Sequence, residues 1–397
     1  MIITNCAACA APLPHKAKQC SRCKTRYCGP ACQKQHWDAA GGHKDLCKLI
    51  KKGGGAEQYH ADKKFKDAVA VAVEKCADDT KGQTCYICTQ ALHWRTKEGL
   101  VRMCACRGTA GFAHVSCLAE QAKILREEAE ENNLDRKVLS ARFARWHTCS
   151  LCEQQYHGVV CCALGWACWK TYLGRPEGDR TRGMAMTELG NGLSEANHHE
   201  DALSVREANL AMLRRLGASE NRILASQSNL ANSHQRLGNL DDAMRMRLEI
   251  YCGALRLNGE EHEKTLVHAF NYVSCLNRLQ RFKEVKSVLS KATPIARRVF
   301  GEVHGTTLKM RSIYAKALYR DTSATLEDLR EAVTTLEDTA RIARRVLGST
   351  HPLTEGIEGE LQKKARAALR ARETPSAPPL APSSPEDELD EVDDATV

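Results

Sequence analysis

The chain of 397 residues is 43% hydrophobic, enough for two or three domains with buried cores, which excludes a chain disordered throughout. The formal net charge is +9, but residues 1–372 carry +17 because the last 25 hold eight acidic and no basic side chains. Of twenty cysteines, fourteen cluster in paired spacings before residue 153, a pattern that favours metal in a reducing compartment over secreted disulfides. Cysteines and prolines interrupt residues 1–18, where a secretory leader would need an unbroken apolar core. The longest apolar stretch, residues 159–169, falls short of the roughly 20 residues of a spanning helix. A soluble protein of the cytoplasm or nucleus is expected.

The first array is Cys6, Cys9, Cys20, Cys23, Cys28, Cys32, His43 and Cys47. Pairs two or three residues apart suit zinc, because one tight turn aims both donors at the same ion, and four pairs make two closed sites. A closed site keeps no position for a water nucleophile, so such ions build surfaces and do not hydrolyse bonds. The words around the donors, Tyr27-Cys28, Cys32-Gln33, His36-Trp37 and His43-Lys44, resemble the MYND finger over about 45 residues. The resemblance implies interleaved sites, with Cys6, Cys9, Cys28 and Cys32 on one zinc and Cys20, Cys23, His43 and Cys47 on the other. It also implies a surface for short proline-containing peptides, with Gln33 and Trp37 facing the peptide. The alternative for Trp37 is a place in the small core of the finger. His36 is a rival of His43, but its place beside Trp37 in the pattern points to a surface or packing role. The five-residue gap between Trp37 and His43 is longer than usual and lengthens a loop without removing a donor.

Residues 48–55 are basic and glycine-rich, as a flexible hinge is. From 56 to 77 the apolar residues Phe65, Ala68, Val69, Ala72, Val73 and Cys76 recur at helical spacing. One linking helix is expected, with Cys76 buried on its apolar face and not a metal ligand.

The second array is Cys85, Cys88, Cys104, Cys106, His114, Cys117, Cys149 and Cys152. Its order suits a PHD finger or a RING-variant (RING-CH) finger, and the single-residue gap of Cys104-Ala105-Cys106 favours the second. The words Cys106-Arg107-Gly108-Thr109, His114-Val115-Ser116-Cys117-Leu118 and Cys149-Ser150-Leu151-Cys152 resemble the RING-CH signature. The resemblance implies a cross-brace, with Cys85, Cys88, His114 and Cys117 on one ion and Cys104, Cys106, Cys149 and Cys152 on the other. RING-type fingers hold a ubiquitin-conjugating enzyme near a substrate and contribute position, while the thioester chemistry belongs to that enzyme. By resemblance Ile87 is its main contact. The sequence departs from the pattern in three ways. Residues 119–123 lack the usual Trp, for which Trp146 is the candidate replacement; residues 118–145 form a long, charged stretch of helical character; and no proline follows Cys152. A ligase module and a finger that only binds protein both stay open. With fourteen thiolates and four zinc ions in place the net charge falls to about +3, which removes a charge-based case for nucleic acid.

Residues 159–173 hold Cys161, Cys162, Cys168, Trp166 and Trp169 without a partner histidine or second C-x2-C pair. Core packing is expected over a fifth zinc, with the segment docking the finger onto the helical half. After Gly174-Arg175-Pro176 a repeat appears, in which glycine turns are followed by His262, His304 and His351 at intervals of 42 and 47 residues. Each interval encloses two amphipathic helices, such as 221–237 with 240–255 and 263–279 with 282–298. These resemble tetratricopeptide (TPR) repeats of the kind kinesin light chains carry. Four units are expected from about Gly183 to Val346, with a closing helix over 354–372. Such pairs cannot bury their apolar faces alone and stack into a solenoid with a peptide-binding groove. Asn229 and Asn271, 42 apart on first helices, are candidate groove residues, with packing or capping the alternative. The repeat histidines are expected to cap turns.

Residues 373–397 hold five prolines and an acidic run and are expected to be disordered. Pro378, Leu380 and Pro382 fit the PxLxP pattern that MYND fingers, by resemblance, recognise. Residues 1–52 carry ten basic against two acidic side chains, so tail docking on the chain's own finger is weighed against chance in a low-complexity segment.

The expected fold is mostly α, with two small two-zinc fingers, a TPR-like solenoid and a disordered acidic tail. Its parts are a MYND finger (1–52), a hinge and linking helix (53–80), a RING-CH finger (81–158), a connector (159–182), repeats (183–372) and the tail (373–397). The expected function is a zinc-binding adaptor with about four Zn2+ and protein or peptide partners. It acts either as a RING-CH ubiquitin ligase without a covalent catalytic residue or as a non-catalytic scaffold. A lysine methyltransferase of the kind that carries a MYND finger is excluded, since no cofactor-binding domain accompanies it.

Overall fold

The computed structural model describes residues 6–373 apart from positions 10, 12, 14 and 15. The candidate motif Pro378, Leu380 and Pro382, and the tail around it, lie outside the described residues. The fold is mostly α, and the chain forms two compact units, Met1–Leu257 and Asn258–Val397.

The first unit opens with a small ribbon, β1 (Lys18–Gln19) antiparallel to β2 (Arg26–Tyr27), followed by α1 (Pro30–Asp38) and α2 (His43–Lys52). Pro30 starts α1, where a missing N–H costs no helical bond. Lys51 and Lys52 end α2, where cations suit the partial negative charge of the helix terminus. The expected hinge over 48–55 is thus too long: residues 48–52 are helical and only 53–55 break the chain. Even these are tied down, since the Gly55 N–H donates to the Ile50 carbonyl (3.0 Å) and the Ala56 N–H to the Cys23 carbonyl (2.9 Å). Gly55 takes φ 99°, which glycine adopts without a Cβ penalty.

Helix α3 (Ala56–Cys76) serves two cores. Its first turn joins Ile50 around Cys20, Cys23 and Cys47, and its later face, from Ala61 through Phe65 and Val69 to Cys76, joins a larger apolar cluster. Cys76 is buried, its thiol 3.7 Å from the Arg102 carbonyl. The charged stretch after Cys117 folds as α4 (Val115–Glu131) and α5 (Arg136–Phe143), the latter capped by the Asp135 carboxylate. Buried Arg126 of α4 donates to Glu130, to the Leu139 carbonyl and to Thr181 Oγ1, each at 2.8 Å.

The centre of the unit is α6 (Gly158–Tyr172). Its residues are apolar on every side, so it can only be stable when covered on every side. Helices α3, α4 and α7 (Arg180–Glu195) cover it. Close approach of α6 and α7 depends on glycine, since a Cβ on Gly192 would lie 2.6 Å from the Cys161 carbonyl oxygen, inside van der Waals contact. Cys161, Cys162 and Cys168 are buried here. Helices α8 (His199–Arg215), α9 (Glu220–Arg236) and α10 (Leu240–Asn258) complete two helical pairs. Between α9 and α10, Leu224, Ala231, Ile250 and Ala254 form a core.

The second unit contains α11 (Glu263–Arg278), α12 (Phe282–Phe300), α13 (Gly305–Arg320), α14 (Leu326–Leu347), α15 (Pro352–Glu360) and α16 (Arg366–Glu373). His262, His304 and His351 cap α11, α13 and α15, each accepting through Nδ1 from a backbone N–H two residues on, at 3.1, 3.2 and 3.1 Å. Thr325 and Asp328 form a reciprocal capping box on α14. The single closing helix expected over 354–372 is interrupted by a π-helical turn, Leu361–Ala365, which turns Leu361 and Ala365 into the core of α13, α14 and α15. Among the described residues no helix is long and apolar enough to cross a membrane.

Candidate metal centres

Sixteen donors gather into four quartets in the first unit: Cys6, Cys9, Cys28 and Cys32; Cys20, Cys23, His43 and Cys47; Cys85, Cys88, His114 and Cys117; Cys104, Cys106, Cys149 and Cys152. Within each quartet the ligand atoms lie within 4.8 Å of one another. One local turn, used three times, aims the donors. The N–H of Lys24, Thr89 or Glu153 donates to the carbonyl of the first cysteine of its pair (3.0, 2.8 and 3.1 Å), and those three residues take φ of 64°, 61° and 56°. Both thiols of the pair then project to one side of the turn.

The donor sets fit zinc. A tetrahedral ion with Zn–S near 2.3 Å separates its sulfurs by about 3.8 Å, and Cys106–Cys149 and Cys20–Cys47 are 3.8 and 3.9 Å apart. Cys28 stands 3.6 Å from both Cys6 and Cys9 and 3.2 Å from Cys32. A mixed N and S edge is about 3.6 Å, against 3.5 Å from His43 Nε2 to Cys23 and 3.4 and 3.6 Å from His114 Nδ1 to Cys88 and Cys117. His114 Nε2 lies 3.3 Å from the Ala91 carbonyl. An N–H there leaves the Nδ1 lone pair for a metal, the arrangement by which outer partners fix a ligand tautomer. His36 stays outside the quartets because its Nδ1 faces the Tyr27 hydroxyl at 3.1 Å.

Four thiols so close cannot all ionise without a cation. Burial raises the Cys6 thiol, but backbone N–H groups of Cys9, Cys28 and Ala8 outweigh it and bring it down to about 6. Its neighbour Cys32 is pushed up to about 12, chiefly by its bond with Cys28. Burial and the neighbouring thiols likewise raise Cys47 and Cys106 to about 11. A divalent ion would release those protons on binding.

Trp37 is 38% exposed and packs one face on His43, ring centres 5.6 Å apart, while Gln33 is half-buried on α1. Both expected places for Trp37, core and surface, are therefore occupied by one residue. Ile87 is 36% exposed at the tip of its turn, with its N–H 3.4 Å from Cys85 Sγ. Trp146, the candidate replacement for the family's Trp, is 1% exposed and lies edge-on to Tyr172, ring centres 5.7 Å apart. The exposed tryptophan of the second finger is Trp94, at 67%. It rides on a turn of the same kind as the zinc turns, since the Lys97 N–H donates to the His93 carbonyl (2.9 Å) with Lys97 at φ 60°, and the Thr96 N–H donates to His93 Nδ1 (3.1 Å). Leu151, on the last turn, is a further exposed apolar tip that the family pattern did not single out. Asn229 and Asn271 are half-buried on α9 and α11. In the first unit, asparagines that bond across helices include Asn191 to Arg206 (3.2 Å), Asn232 to Arg247 (2.7 Å) and Asn209 to Thr187 (3.3 Å). In the first two, Asn and Arg recur together at a 41-residue interval, which was visible in the sequence.

Comparison with protein families matches residues 6–47 to the MYND finger, residues 85–137 to the RING-variant domain and residues 223–263 to a tetratricopeptide repeat. The RING-variant match stops short of Cys149 and Cys152, beyond the α4–α5 insertion. No curated protein sequence matches the chain. Among solved structures, similar chains are a Podosopora anserina protein described as a putative kinesin light chain with nearly identical TPR-like repeats, and a single-residue variant of it. Each is 21% identical, with a TM-score of 0.42, over 48% of this chain and 88% of the other. BtubC (BKLC) from P. vanneervenii is 14% identical with a TM-score of 0.40, over 69% of this chain and 97% of its own. Two zinc-finger modules, four quartets that fit Zn2+ at about four sites and tetratricopeptide repeats support a protein-interaction adaptor with protein partners.

Proposed function

We propose that this adaptor is a RING-type ubiquitin ligase, in which the second finger receives a ubiquitin-conjugating enzyme and the repeats and first finger bring the protein to be modified. The observation that carries this reading is an apolar surface at the tips of two zinc turns. The hydroxyls of Tyr86 and Ser150 meet at 3.0 Å and pin the turns side by side, and their neighbours Ile87 and Leu151 are both exposed. Trp94 and Leu92 extend the exposed apolar set on the loop that follows Ile87. The finger's own contribution is position, since closed quartets offer no open coordination site.

The first finger takes proline-containing peptides across Trp37 and Gln33, and Pro378, Leu380 and Pro382 are this chain's own copy of such a motif. Asn229 and Asn271 face peptide in the repeats. A non-catalytic scaffold is the second reading, favoured by the bonding of Arg126 and Glu130 to Thr181 (2.8 and 3.1 Å), which builds the finger's insertion into the first repeat helix.

The test is the purified full chain with ubiquitin, activating enzyme and a panel of conjugating enzymes. Chain formation is expected, falling at least about fivefold in Ile87→Ala and Leu151→Ala, as loss of an apolar anchor buried at the interface costs over about 1 kcal/mol. Absence of product with every conjugating enzyme refutes the ligase reading and leaves the scaffold. Product unaffected by both variants refutes the assigned surface alone.

A further inference from the structure

In the second unit, α14 and the segment from α15 to α16 leave an open cleft of about 480 Å³ between them. Its lining includes the apolar Ala340 and Leu361, four arginines, Arg341, Arg344 and Arg345 from α14 and Arg366 from α16, and two glutamates, Glu337 and Glu358. Three of the arginines have acidic neighbours. Arg344 bonds Glu358 at 2.6 Å, Arg366 bonds Glu337 at 2.6 Å, and Arg341 bonds Asp338. Arg345 is exposed and has no ion pair among the described residues. The π-helical turn Leu361–Ala365 forms one wall, and such turns are rare and frequent at functional sites. Past that wall the charge is one-sided, because residues 361–372 carry five basic side chains and no acidic one.

We infer that the acidic run of residues 386–394 docks in this arginine cleft of its own chain. The segment holds seven carboxylates, a chemistry that guanidinium groups bind through paired hydrogen bonds. Its attachment point is correct, since the described chain ends at Glu373 on α16, the helix that supplies Arg366. Arg366 lies about 10 Å back along that helix. Twelve residues, 374–385, separate Glu373 from the first carboxylate of the run. At roughly 3.1 Å per residue they reach about 37 Å, more than the return requires. A tether of that length holds the run at an effective concentration on the order of millimolar, so a site of millimolar affinity is about half filled. The acidic run is distinct from the motif Pro378 to Pro382, which this docking leaves in the connecting segment.

Hydrogen exchange read by mass spectrometry, on the full chain and on a chain ending at Glu373, tests the assignment. Peptides covering 337–345 and 361–366 are expected to exchange about twofold slower in the full chain. The difference should vanish in roughly 0.5 M salt, in Arg345→Glu, and in a chain whose seven carboxylates are replaced by amides. Arg345 is exposed and unpaired, so Arg345→Glu should keep the helix content of the parent by circular dichroism; the amide variant leaves every described residue untouched. Equal exchange in the full and shortened chains overturns the proposal. So does protection that appears at residues 30–38 of the first finger instead, or protection that grows with protein concentration, which would mean a second copy's tail.

Discussion

The two fingers and the helices of the second unit meet the same requirement, a buried centre, with different material. Among the described residues the core of the first finger gathers Cys20, Cys23 and Cys47 with Ile50 and Ala56, and Tyr27 is buried beside His43, so its closest contacts are between groups that repel once ionised. The core of α13 to α15 is Leu308, Leu318, Leu336 and Ile357, whose attraction needs no ligand. Stability in the first finger is thus a property of the chain plus its ions, and in the second unit of the chain alone.

A high-affinity chelator puts that contrast under the greatest strain. Structural zinc binds with roughly 10–16 kcal/mol, as much as or more than the roughly 5–15 kcal/mol of a whole domain. Metal removal should therefore abolish hydrogen-exchange protection at residues 20–50 and at the donor turns 85–89 and 149–153, and leave α11 to α14 protected. Unchanged protection around Cys20 to Cys47 would show that the quartets close without metal.

The converse change is Leu336→Ala, at a fully buried position of α14. It should cost about 2–5 kcal/mol in denaturant unfolding of the second unit, with metal content still near four ions. Gly192→Ala separates α6 from α7, because the atoms it meets are backbone. A loss of about 1–3 kcal/mol is expected in the first unit only; a neutral result would mean that the two helices move apart freely. The smallest effect is Thr325→Ala, which removes the side-chain cap of α14 and should cost about 1 kcal/mol.

How much of this was legible in the sequence follows from the range of the interactions involved. The joining of distant donor pairs into quartets came from the family resemblances, whereas the pairs themselves could be read because their spacing is local. The capping histidines were legible for the same reason, since a cap bonds to a backbone N–H two residues away. The burial of α6 followed from apolar residues on all its sides, although which helices would cover it did not. Exposure was harder: Trp94 and Trp146 are the same residue type, and the apolar cluster that closes over Trp146, Tyr172 included, puts one inside and leaves the other out. The asparagines that pair with arginines, Asn191 and Asn232, recur at 41 residues, one fewer than the spacing of Asn229 and Asn271, so the repeat alone does not say which asparagine bonds. The π-helical turn has no marker among residues 361–365, each of which suits an ordinary helix.

The central place of α6 also bears on how the protein is made. Helix α3 ends at Cys76 and α6 begins at Gly158, so about eighty residues must be synthesised before α3 gains its main cover. At roughly 5–20 residues per second the apolar face of α3 waits on the order of 4–16 s on the ribosome. During that interval the second finger is the neighbouring sequence already made that belongs to the same core, through Val101, Phe112 and Leu118. Zinc supplied during translation thus sets how long that face stays bare. Chaperone binding to nascent chains halted between residues 76 and 158, with and without zinc, would measure it.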